Sequence, residues 1–127
     1  MDHSILNICL LVKDYNEAID FYVQKLNFQL KEDTPISECK RWVTVTPGNK
    51  SECSIVLNKV DLDLEHLVGK QAGGKVLFIV QTSDVEQDYQ LFLSKGVVID
   101  QKPLNLPHGK VMIIRDLYGN KIDYIEK

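Results

Sequence analysis

The same order of elements is written twice along this chain, and that repetition constrains its fold more than any single motif does. The first copy opens with the strand-like run "ILNICLLV" and passes into "KDYNEAIDFYVQKLN". There Tyr15, Ala18, Ile19, Tyr22 and Leu26 follow the spacing of an amphipathic helix. Asp14 suits the N-cap, and Glu17 stands where it helps satisfy the first-turn amides. Three strand candidates follow: "FQLKEDT" from 28, "RWVTVTP" from 41 and "CSIVLNK" from 53. The turn signals "TPISE" and "PGNKSE" separate them.

The second copy begins with the strand "KVLFIVQ" (75–81) and the helix "SDVEQDYQLFLSK", which puts Val85, Tyr89, Phe92 and Leu93 on one face. Asp84 is read as the cap equivalent to Asp14, Ser83 and Glu86 match a capping box, and Gly96 is placed to end the helix. Short strands are expected at "VVID", "GKVMIIRD" and "NKIDYIE". Between the copies lies a connector (59–74), with one or two helical turns in "LDLEHLVG" and a flexible linker in "QAGGK". The expectation is an α+β fold of tandem βαβββ modules in a single domain, 1–127. Half 1 spans about 4–59, the linker about 60–74, and half 2 about 75–127.

Composition narrows the function classes. With 127 residues, 44% hydrophobic and 26% charged, the chain has the length and balance of one globular domain. A net charge of −3 argues against nucleic acid, which calls for a clustered basic face. The apolar run "ICLLV" is too short to span a bilayer, and "MDHSILN" lacks the features of a signal peptide. A cytoplasmic protein without membrane contact is expected. Cys9, Cys39 and Cys53 have no C-x-x-C spacing and read as reduced, mostly buried thiols.

Few residues look like chemistry. The last strand, "KIDYIE", turns Ile122 and Tyr124 one way and Lys121, Asp123 and Ile125 the other. Its carboxylate, Asp123, is either a working group or an edge group reaching water. His3 and His66 read as solvated, whereas His108, in "NLPHGKV" before the seventh strand, is a candidate for touching a ligand. Trp42, the only tryptophan, fits either a core position or a ligand-facing one. Arg41 and Arg115 are read as strand-end ion pairs, with anion binding as the alternative. The charges of "KDYNE" and "DVEQD" are expected to be solvated helix starts.

Taken together, these strings resemble the vicinal oxygen chelate superfamily, which includes glyoxalase I, extradiol dioxygenases and bleomycin-resistance proteins. The resemblance rests on Val12, Asp14, Ala18, Phe21, Tyr22, Leu26 and Phe28 in the first strand and helix, and on "RWVTVTPG". It rests also on "RDLYGNKIDYIE", similar to a closing D-P-x-G-N-x-x-E motif, with Leu117 in place of proline and Asp123 in place of glutamate. The resemblance implies curved mixed sheets forming a cleft, with the helices outside. It also implies metal-ligand positions at Asn7, near Leu77 (Val76 or Phe78) and at Asp123. Of these only Asp123 is a good ligand, and the plausible inward residues of "SIVLNK", Ile55 and Leu57, are apolar. No cofactor is therefore expected, a divalent metal being the alternative.

The reading that follows is a protein binding a small organic molecule in the cleft, without the family metal. Asn7, Cys9, Leu11, Trp42, Leu77, Ile79, His108, Met112, Ile114 and Asp123 are its expected lining, and Asp123 its polar anchor. The alternatives are a lyase, isomerase or dioxygenase, with Asp123 as metal ligand or general base, and an interaction module. A homodimer is expected, since members of the family commonly pair.

Overall fold

A computed structural model describes residues 1–49, 51 and 53–127, so Lys50 and Glu52 of the expected turn "PGNKSE" lie outside the described residues. The chain divides into two compact units, Met1–Val68 and Gly69–Lys127. The fold is α+β, and each unit carries one mixed four-stranded sheet.

In the first unit, β1 (Asn7–Val12), β2 (Gln29–Pro35), β3 (Arg41–Thr46) and β4 (Ser54–Lys59) assemble in the order β1-β4-β3-β2. β1 runs parallel to β4, and the remaining pairs are antiparallel. Alternation sends Leu10, Val12, Val43, Val45, Ile55 and Leu57 to one face, where all are buried. Helix α1 (Tyr15–Ile19) contributes the buried Tyr15 and Ala18 to the same core. Asp14 caps it, its carboxylate accepting from the Glu17 N–H at 2.9 Å.

Where one continuous amphipathic helix was expected, a π-helical turn, Asp20–Lys25, takes over after Ile19. The Leu26 N–H donates to the Phe21 carbonyl, five residues back, at 3.2 Å. Phe21 and Tyr22 both enter the core, three and four residues after the buried Ala18. Their rings pack edge to face, with Phe28 beyond. Asn27 then leaves the helix in a left-handed conformation, φ 59°. A 3-10 stretch, Leu62–Leu67, follows β4.

The second unit repeats the plan with β5 (Val76–Thr82), β6 (Val98–Leu106), β7 (Gly109–Arg115) and β8 (Lys121–Glu126), ordered β5-β8-β7-β6. Helix α2 (Val85–Ser94) is regular. Asp84, one of the two caps expected, is its N-cap and accepts from the Gln87 N–H at 3.1 Å, so the Ser83 capping box is not the one used. Gly96 ends it at φ 74°. Leu93, expected on the buried face, is 47% exposed, while Val85 and Phe92 are buried.

β6 is longer than "VVID" implied. It runs on to Leu106 through Pro103, which an outermost strand tolerates because the missing N–H has no neighbour to meet there. Register shifts between Ile99 and Gln101 and between Gln101 and Leu104 absorb the misfit.

Two clusters of polar groups correct the charge reading. Asp88, expected to be solvated, is half-buried and accepts a hydrogen bond from the Thr82 hydroxyl. Burial pushes its carboxyl above the ordinary carboxylate range. Asp116, in the closing "DLYGN", is buried and accepts from the N–H groups of Tyr118 and Asn120 and from the Asn120 side chain, each at 2.9 Å. That turn launches β8.

Candidate functional site

Cross-strand pairing decides which side chains share a face. In the second unit, Ile79, Asp123, Ile113 and Gln101 form one row across β5, β8, β7 and β6. The neighbouring row pairs Val80 with Tyr124 and Tyr124 with Met112, and it is buried beneath α2 with Phe92 against Tyr124. Asp123 therefore lies on the face turned away from the helix, as alternation predicted. Met112 and Ile114 do not. They pair with Tyr124 and Ile122, are fully buried, and belong to the helix-side core, so the expectation that they line a ligand face is corrected. Val111 and Ile113 are the β7 residues that share the face of Asp123.

A bulge at Leu77 changes the partner of Asp123 on β5. Val76 pairs with Lys121 and Phe78 with Ile122, leaving Leu77 as the surplus residue. Ile79 then stands beside Asp123, and it is 63% exposed. Neither flanking residue, Ile79 nor Ile113, carries a donor atom. Asp123 Oδ1 is buried without a hydrogen-bond partner among the described residues. Desolvation pushes its carboxyl above the ordinary range, and the His108 charge partly offsets this. His108 itself is exposed, in the two-residue turn between β6 and β7.

In the first unit, Cys9, Val56, Thr44 and Glu32 form the row across β1, β4, β3 and β2 on the face away from α1. Asn7, Leu11 and Trp42 share that face by alternation. Trp42 is 38% exposed and outside the core. Ile55 and Leu57, expected to face inward with the ligand residues, point to the helix side, and Ser54, Val56 and Asn58 take the other face. Glu32, which sequence reasoning missed, accepts hydrogen bonds from the Trp42 indole N–H at 2.6 Å and the Thr44 hydroxyl at 3.1 Å, both to Oε2. The available signal was the alternation of Glu32 with Thr34 opposite Thr44 and Trp42.

Arg41 is committed elsewhere. Its guanidinium holds Asp33 in two hydrogen bonds, at 3.0 and 2.6 Å, donates to Asn16 at 2.9 Å and lies over the Tyr15 ring. The contact holds the Asp33 carboxyl below its ordinary range. Arg115 pairs with Asp100 at 2.8 Å. The thiols depart from expectation too: Cys9 and Cys39 are exposed and Cys53 is half-buried, because β1 is a sheet edge and Cys39 lies in a loop.

The donor set does not fit a divalent metal. Such an ion takes three or more protein donors, and the row around Asp123 offers one carboxylate flanked by hydrocarbon. Asn7 donates its amide N–H to the Ser54 carbonyl at 3.5 Å. Among the described residues no group of three or more His, Cys, Asp or Glu side chains is placed to hold a metal ion. Nor is any described helix long and apolar enough to cross a membrane.

Two βαβββ units, each with a helix on one face of a mixed four-stranded sheet, make up the chain. The chain belongs to the Glyoxalase/Bleomycin resistance protein/Dioxygenase superfamily, whose family profile matches residues 4–124. It is 41% identical to an uncharacterized protein of Shewanella frigidimarina over 99% of this chain and 95% of that one. Among solved structures it is similar to UcmS2, with TM-score 0.86, 27% identity and 98% of each chain covered. It is also similar to TnmS3, an antibiotic binding protein from Streptomyces sp. CB03234, with TM-score 0.82, 26% identity and 98% and 96% covered.

Proposed function

We propose that this chain binds a small organic molecule against its sheet faces, in the manner of a sequestering protein and without a tightly held metal. One observation carries the reading: Asp123 Oδ1 is buried on an apolar row and lacks a partner among the described residues. A buried acceptor left unpaired costs stability, and a ligand N–H or O–H would relieve that cost. The ligand class is an apolar or aromatic body carrying an amine or hydroxyl. The likeness to an antibiotic binding protein supports the same class. Pairing with a second copy, which would cover exposed Ile5, Leu6 and Ile8 beside the β1 edge, is part of the proposal.

The test is a thermal-shift panel of aromatic antibiotics, aromatic amines and phenols on wild type and Asp123→Asn. Stabilisation by donor-bearing compounds that fades in the variant supports the reading. Stoichiometric zinc, nickel, iron or manganese in protein purified without chelators, lost on Asp123→Ala, would overturn it in favour of a metal-dependent lyase or dioxygenase. Sedimentation as a strict monomer at micromolar concentration would remove the pairing. A second reading, a metal-free isomerase with Asp123 as general base, draws on its raised proton affinity.

A further inference from the structure

The Glu32–Trp42 pair has a build that strand pairing alone does not require. Every residue of β2 is exposed, and a carboxylate on such a strand ordinarily samples several rotamers in water. Glu32 instead receives two donors on Oε2, one from the indole and one from Thr44, which is itself 1% exposed. A buried hydroxyl thus fixes a surface carboxylate at the edge of an aromatic ring. The other oxygen, Oε1, makes no hydrogen bond among the described residues, and no described Lys, Arg or His forms an ion pair with Glu32. Arg41, the nearest arginine in sequence, spends its charge on Asp33.

The electronic consequence points to one ligand class. An indole face already carries negative potential and is the best aromatic partner for a cation. A carboxylate accepting the indole N–H adds negative charge at the ring edge and draws electron density onto the face. Trp42 is 38% exposed as a residue, and the Glu32 carboxylate sits at the N–H edge of its indole, so a negative group stands beside a negative ring face. An anion is repelled there, a neutral ring gains stacking alone, and a planar cation gains stacking, cation–π attraction and the carboxylate together.

We infer that Glu32, Trp42 and Thr44 form a stacking platform selective for planar aromatic cations, a specificity element of the first unit for the ligand-binding role. The inference rests on that role only in assuming that this face meets organic ligands. Because Trp42 is the chain's one tryptophan, its fluorescence reports the platform directly.

The experiment titrates the full chain with N-methylquinolinium, neutral quinoline and anionic 2-naphthoate, following Trp42 emission and the heat of binding. The cation is expected to bind about tenfold more tightly than quinoline, with 2-naphthoate weakest. Glu32→Gln keeps an acceptor for the indole N–H and removes the charge, so it should erase the preference while the circular dichroism stays unchanged. Trp42→Leu should abolish binding of all three. Equal affinity for cation and quinoline in wild type, or an undiminished preference in Glu32→Gln, would overturn the platform. Asp123-dependent binding without cation preference removes the platform and leaves the sequestering role, and cation preference without any Asp123-dependent ligand does the reverse.

Discussion

Asp123 stands directly opposite Ile113 across the antiparallel β7–β8 ladder, so a carboxylate with a buried oxygen faces a branched hydrocarbon where a polar partner would stabilise it. Ile79 closes the other side. Unliganded, this arrangement penalises the ionised carboxyl. The penalty gives the free protein a measurable signature.

That signature is a pH dependence. The folded-state pKa of Asp123 is raised, so between the unfolded value and the folded one the native state binds more protons, and stability falls as pH rises through that window. Asp88 acts in the same direction, so the comparison must isolate Asp123. Asp123→Asn is expected to stabilise the free protein by up to about 1 kcal/mol at neutral pH and by progressively less as pH falls through the window. Urea midpoints measured from pH 3 to 7 on both proteins check it.

Face assignment is tested by a pair of truncations. Met112→Ala removes a fully buried side chain of the helix-side core and should cost about 2–4 kcal/mol. Ile79→Ala, at an exposed position beside Asp123, should cost less than about 1 kcal/mol yet weaken any Asp123-dependent ligand. Denaturant unfolding and calorimetric titration separate the two effects.

Tyr124 gives a different stability test. Its hydroxyl is buried without a partner among the described residues, and burial, with the nearby Asp88 charge, pushes its ionisation well above the ordinary phenol range. Tyr124→Phe keeps the ring against Phe92 and removes the unpaired group, so stability should hold or rise by about 1 kcal/mol. A loss beyond about 1 kcal/mol in urea unfolding would show that the hydroxyl has a partner in solution.

Arg41 is predicted to matter for the fold and not for anion binding. Arg41→Ala should destabilise by about 1–2 kcal/mol through the combined loss of Asp33, Asn16 and Tyr15 contacts, with an exposed ion pair alone supplying less. The Asp33 share is present above the unfolded carboxylate pKa and is lost as pH falls, since its folded pKa is depressed. Unfolding midpoints at pH 7 and pH 3 would show the effect of the substitution shrinking with acid.

Much of this was readable in the residues. Alternation after Gly119 put Asp123 on the correct face, and Asp14 and Asp84 cap the two helices. What failed did so at irregularities. A bulge at Leu77 moved the neighbour of Asp123 to Ile79, and a one-residue slip on β7 sent Met112 and Ile114 into the core. Glu32 escaped notice because its role depends on a cross-strand partner that only register reveals.

The π-turn in the first helix has a bearing on how the two halves align with one another. Asp14 and Asp84 open the helices at equivalent positions, yet the left-handed exit falls at Asn27 in one and Gly96 in the other, one residue out of step. The bonds closing the exit agree. Phe28 N–H reaches six residues back to Tyr22, whereas Val97 N–H reaches five back to Phe92. The first half therefore carries one residue more than the second between helix cap and exit, taken up as a wider turn. Superposing the two halves residue for residue requires a gap between positions 20 and 25, and a comparison without that gap shifts the equivalent positions of β2 and β3 by one.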